Sequence, residues 1–105
     1  MRETEKTSDI LDILKRFIAA EGERFPINAA YLFGSWAYGE PNQDSDIDLG
    51  IVVDADLSPD EEARLFSDAQ KIDWKIEPVI FSKGYFDTAR LSIIRDMKTK
   101  GIQIV

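Results

Sequence analysis

With 105 residues, 44% of them hydrophobic, and a net charge of −7, the chain has the size of one domain, 1–105, with a small core. It contains no cysteine and no histidine, which excludes thiol nucleophiles, zinc sites built on either residue and Ser-His-Asp triads; its acidity argues against direct nucleic-acid binding. The charged start, MRETEKTSDI, lacks the apolar stretch of a signal peptide, and no apolar run reaches membrane-spanning length, so a cytoplasmic protein without a membrane partner is expected.

The first predicted element is an amphipathic helix over 8–22. Thr7 or Ser8 would cap it, and Ile10, Leu11, Leu14, Phe17 and Ile18 share one face. A strand follows over 29–33. Trp36 to Tyr38 read as a short helical turn closed by Gly39, and 40–45, with Pro41 and Asn42, as a loop. A second strand is predicted over 46–53. Ser58-Pro59-Asp60-Glu61 then spells a helix start, with Ser58 as N-cap, Pro59 in the first turn and Glu61 closing a capping box; this helix runs to about Gln70. A third strand is expected over 75–81. Pro78 has no N–H to give a ladder, so this strand belongs at a sheet edge or carries a bulge. Ser82-Lys83-Gly84 opens a last helix over 85–100, with Gly101 beyond it and a short final strand over 102–105. Tyr85, Phe86 and Leu91 read as core or interface residues. The fold class is α/β (α+β), a small mixed sheet of three to four strands flanked by helices.

The chemistry concentrates in residues 34–49, GSWAYGEPNQDSDIDL. Asp46 and Asp48 stand two apart at the head of the apolar run Leu49-Gly50-Ile51-Val52-Val53. In an extended strand they project to the same side. Two adjacent anions there are costly, and a divalent cation offsets the cost. Gly34-Ser35 ends the apolar segment Ala29-Ala30-Tyr31-Leu32-Phe33. Such a pair, between a strand and a helical turn, offers backbone N–H groups and a hydroxyl to phosphate.

This pattern resembles the minimal nucleotidyltransferase (MNT) antitoxin family of the DNA-polymerase-β-like superfamily. The resemblance is carried by Gly34, Ser35, Gly39, Ser45, Asp46, Asp48 and Leu49, with ten residues between Gly-Ser and Asp-x-Asp. It implies nucleotidyl transfer from a nucleoside triphosphate. Asp46 and Asp48 would ligate two Mg²⁺ ions, and Gly34, Ser35 and Ser45 would bind the nucleotide. The family's third carboxylate lies on the next strand. Glu77 in Ile76-Glu77-Pro78-Val79-Ile80 fits, as metal ligand and acceptor of a proton, with Asp73 as the second candidate. Many relatives carry Arg directly after Gly-Ser, where this chain has Trp36. Positive charge for the triphosphate would then come from metal, from backbone N–H groups, or from Lys71, Lys75 or Lys83.

The resemblance further implies an antitoxin that transfers AMP from ATP to a tyrosine of a partner HEPN-domain ribonuclease toxin, with which it would form a hetero-oligomer. Larger nucleotidyltransferases carry an extra acceptor-gripping domain; here the acceptor is expected on a partner or in the groove of the minimal domain. Two alternatives stand beside this reading. One is an inactive antitoxin that neutralises its partner by binding alone. The other is the catalytic subunit of a small-molecule nucleotidyltransferase.

Overall fold

A computed structural model describes residues 2–41 and 45–105, with side chains from Thr7 onward. The middle of the loop expected over 40–45, including Asn42, lies outside the described residues. The elements are α1 (Arg2–Glu21), β1 (Ile27–Phe33), α2 (Ser35–Tyr38), β2 (Ile47–Val53), α3 (Pro59–Ile72), β3 (Ile76–Ser82), α4 (Lys83–Thr88), α5 (Ser92–Lys100) and β4 (Ile102–Gln103).

The four strands form one mixed sheet in the order β3-β2-β1-β4. β1 pairs antiparallel with both β2 and β4, whereas β2 and β3 run parallel. A parallel pair needs a crossover, and α3 supplies it. Pro78 falls on β3, at the sheet edge, where its missing N–H breaks no interior ladder.

Strand alternation divides the core between two faces. Ala30, Leu32, Ile47, Leu49, Ile51 and Ile76 point to one, where Leu14, Phe17 and Ile18 of α1 and Leu65 and Ala69 of α3 bury them. Ala29, Phe33, Val52 and Phe81 point to the other, covered by Phe86 of α4 and by Ile94 and Met97 of α5. Residues 46 and 48 share the parity of Val52, which assigns the acidic pair to the α4–α5 face.

The capping box at α3 forms as read. The Ser58 hydroxyl accepts from the Glu61 N–H at 3.1 Å, and the Glu61 carboxylate accepts from the Ser58 N–H at 2.8 Å. Such a cap contributes about 1 kcal/mol. The helix continues two residues past the expected end, to Ile72.

Two local expectations are corrected. First, α1 begins at Arg2, so Thr7 and Ser8 lie within the helix rather than capping it; the upstream Glu and Lys residues are good helix formers. Second, the last helix is two helices. Ala89 turns extended at ψ 148°, its N–H ending α4 on the Tyr85 carbonyl, and Leu91 is extended before α5 starts. Neither Gly nor Pro marks this break in the sequence. Of the three residues read as core or interface there, Phe86 is in the core, while Tyr85 and Leu91 are exposed.

One acidic pair is buried away from the sheet's acids. Glu21, at the end of α1, is 6% exposed, and its Oε1 has no hydrogen-bond partner. Asp68 of α3 lies against it, with Arg64 at 3.5 Å and Arg24 at 3.8 Å from the Asp68 carboxylate. Burial, then the hydrogen bond and charge of Asp68, push the Glu21 carboxyl up to about 7, with Arg24 and Arg64 pulling the other way.

Candidate active site

The end of the sheet where β1 stops and β2 and β3 start gathers the acids. Asp48 sits opposite Phe33 on β1 and opposite Glu77 on β3. Cross-strand partners point to the same side, so Asp48 and Glu77 share a face. Asp46 directly precedes β2 and is exposed, while Asp48 and Glu77 are half-buried. Burial raises the Asp48 carboxyl above the ordinary carboxylate range, and the charges of Asp46 and Glu77 push it in the same direction. Asp46 and Glu77 are thus each within electrostatic reach of Asp48.

Gly34 makes the adjoining turn. Its φ of 75° is a left-handed conformation that side-chain-bearing residues rarely adopt. A Cβ there would also collide with the Asp48 carboxylate. The chain therefore enters α2 in contact with the acid. At any helix start the first N–H groups lack intrahelical acceptors, and here they are those of Ser35 and Trp36. The Gly34 carbonyl accepts from the N–H groups of Ala37 and Tyr38, each at 3.0 Å, which closes the turn.

Trp36 is built into the fold. Its ring is buried in the α1–α3 core, and its indole Nε1–H donates to the Ser45 carbonyl at 3.3 Å. That bond ties the residue just before Asp46 to the turn that carries Gly34 and Ser35.

Residues 13–105 match the sequence profile of the family described as polymerase beta, nucleotidyltransferase. The chain belongs to the polymerase beta nucleotidyltransferase family. No curated protein matches the sequence. Among solved structures it is similar to a candidate nucleotidyltransferase from Sulfolobus solfataricus, at 18% identity and a TM-score of 0.67, over 98% of this chain and 86% of the other. A toxin–antitoxin structure with AMP-PNP is similar at 18% identity and a TM-score of 0.65, over 90% and 72% of the two chains. A third is the complex of a tri-AMPylated Shewanella oneidensis HEPN toxin with its MNT antitoxin, at 18% identity and a TM-score of 0.51, over 98% and 71%.

Within this nucleotidyltransferase domain the carboxylates suit a divalent ion. They are hard oxygen donors, and the mutual repulsion felt by Asp48 is what a cation relieves. Among the described residues no three acidic groups already surround one point. Mg²⁺ sites commonly use one or two carboxylates, with water and substrate phosphates filling the rest of the shell.

The two candidates for the third acid have different surroundings. Asp73 caps the C-terminus of α3, and its carboxylate accepts from the Lys75 N–H at 2.9 Å. Glu77 faces Asp48 across the ladder.

The three candidate cations are also separated. Lys83 follows Ser82 at the opposite end of β3 from Glu77 and is paired with Asp87 at 2.9 Å, so it lies outside the site. Lys71 lies in the last turn of α3. Lys75 stands at the acidic end of the sheet, where its carbonyl accepts from the Ile47 N–H at 2.8 Å. A fourth cation escaped the sequence reading. Lys100, which the sequence marks only as a helix-end lysine, carries its ammonium 5.9 Å from the centre of the Tyr38 ring on α2. No sequence spacing links residues 38 and 100, and only the return of α5 to the β1 edge brings them together. Among the described residues no helix is long and apolar enough to cross a membrane.

Proposed function

We propose that this domain transfers AMP from ATP to a tyrosine hydroxyl of a HEPN-domain toxin and so acts as the antitoxin of a pair. The reading rests on one observation above the others: Asp48 is in register with Glu77 and in contact with the Gly34 turn, so acids and phosphate-facing backbone share one end of the sheet. The similarity to a toxin–antitoxin structure with AMP-PNP supports an adenine nucleotide. The similarity to a complex containing an AMPylated HEPN toxin supports the acceptor.

In this reading Asp46, Asp48 and Glu77 would hold Mg²⁺, which when bound would supply charge stabilisation for an in-line displacement. The N–H groups of Ser35 and Trp36 face the β- and γ-phosphates, and Gly34 keeps that approach open. The tyrosine oxygen attacks the α-phosphorus, forming one P–O bond while the bond to the β-phosphate bridging oxygen breaks. Pyrophosphate leaves with that electron pair, and the phenolic proton passes to Glu77. Trp36 and Ser45 act on this geometry by fixing the loop that delivers Asp46. The domain works in the cytoplasm, where ATP and Mg²⁺ are present, as a hetero-oligomer with its acceptor.

The test is incubation with α-labelled ATP, Mg²⁺ and the product of the adjacent gene, which is expected to be a HEPN-domain protein. Label on a tyrosine of that protein is expected. A tight complex without label would point instead to neutralisation by binding alone, and label only on an added small molecule would point to a different acceptor class.

A further inference from the structure

The site as described has acids and backbone donors, yet the residue after Gly34-Ser35 is the buried, apolar-packed Trp36. A triphosphate carries several negative charges, and backbone N–H groups are weak partners beside a cation. We infer that Lys100 supplies this charge and contacts the β- and γ-phosphates of the nucleotide; this rests on the proposed nucleotidyl-transfer reading.

The fold brings Lys100 there by three constraints. Met97 of α5 packs against Phe33 and closes directly over Gly50, two residues beyond Asp48. Lys100 is one helical turn further along α5. The chain then reverses at Gly101, whose N–H returns to the Asp96 and Met97 carbonyls, and β4 pairs Ile102 with Leu32. A Cβ at 101 would crowd the Met97 carbonyl at 2.5 Å and the Leu32 carbonyl at 3.1 Å, so the end of α5 is held tightly against the last residues of β1. Lys100 is therefore the last helical residue before the chain joins the edge of β1 at Leu32. The Tyr38 ring, on α2, holds the ammonium 5.9 Å from its centre.

The sheet order separates Lys100 from the other cations. With β3-β2-β1-β4 across the sheet, Lys75 stands on the β3 side with Glu77, whereas Lys100 stands on the β1–β4 side with α2. Lys98, two residues away, lies over Phe86 at 4.8 Å. Lys100 thus stands beside the short turn that Gly34 and Ser35 open, through its contact with Tyr38.

The test compares binding of Mg-ATP and of AMP to the wild-type chain, K100M and K100R by calorimetry, with thermal melts alongside. K100M is expected to weaken Mg-ATP binding about 10- to 100-fold, the loss of one charge-assisted contact, while leaving AMP binding and the melt unchanged. K100R should stay within about threefold of wild type for Mg-ATP, since a cation is kept at that position. Equal Mg-ATP affinity in K100M and wild type would overturn the inference, as would equal losses for ATP and AMP. Absence of Mg-ATP binding by the wild type would overturn it together with the nucleotidyl-transfer reading. A Lys100-dependent Mg-ATP affinity without AMP transfer to the HEPN-domain protein would sustain the inference and remove only the proposed acceptor.

Discussion

Gly34 and Asp48 occupy one small space: the backbone of the first passes where any side chain would strike the carboxylate of the second. The left-handed φ of 75° at Gly34 adds a second reason for glycine. Gly34→Ala is expected to lose about 1–2 kcal/mol from the strained backbone alone and to displace Asp48. Displacement on the scale of an ångström costs roughly 100-fold in a positioned reaction. Transfer assays and melts on Gly34→Ala should show activity falling far more than stability; an active alanine variant would contradict the shared-space geometry.

Trp36 joins the core to the loop before Asp46. Trp36→Phe keeps an aromatic ring but removes the donor to the Ser45 carbonyl. A loss of about 1 kcal/mol is expected in denaturant unfolding, with a modest fall in transfer as Asp46 loosens. Trp36→Ala removes the buried ring as well and should cost about 3–5 kcal/mol.

Glu77 and Asp73 have separable roles. Glu77→Gln should lower transfer by at least about 100-fold with little change in melting, because the residue is at the sheet edge and faces Asp48. Asp73→Asn should keep transfer within a few-fold and lose about 0.5–1 kcal/mol through the turn into β3. The reverse pattern in paired activity and melting measurements would make Asp73 the third acid.

Glu21 gives stability a pH dependence of known sign. Its folded carboxyl titrates at about 7 against an ordinary 4.5, so between those values the folded state holds a proton that the unfolded chain has released. Stability from this group is therefore full below about pH 4.5 and declines as pH rises to about 7. At about 1.4 kcal/mol per pKa unit the decline is of order 3 to 4 kcal/mol. Glu21→Gln, neutral throughout, should flatten the slope in urea unfolding at pH 5, 6 and 7; an unchanged slope would assign it elsewhere.

The sequence carried the strands, the capping box of Ser58 and Glu61 and the edge position of Pro78, because each is written in local residue chemistry. The Gly34-Ser35 and Asp46-x-Asp48 spacing was equally legible, and the family profile covers it. What escaped depended on tertiary placement. Trp36 stands where a basic residue was expected, yet its environment is the core, which no neighbour in sequence reveals. Lys83 is close in sequence to Glu77 but one strand length away in space, since β3 carries it to the other end of the sheet. Lys100 is distant in sequence from Tyr38 but close to it once α5 reverses into β4. The break at Ala89 lacks the usual Gly or Pro punctuation, and α1 extends upstream of the Ser8 cap that the local pattern favoured.

In the proposed function the Asp46–Asp48 end of the sheet performs the transfer. This is tested most directly by intact-mass measurement of the HEPN-domain partner after incubation with ATP, Mg²⁺ and either wild type, Asp46→Asn or Asp48→Asn. Adenylate-sized mass additions are expected with wild type and none with either variant, while both variants still bind the partner. Additions that persist in Asp48→Asn would contradict it.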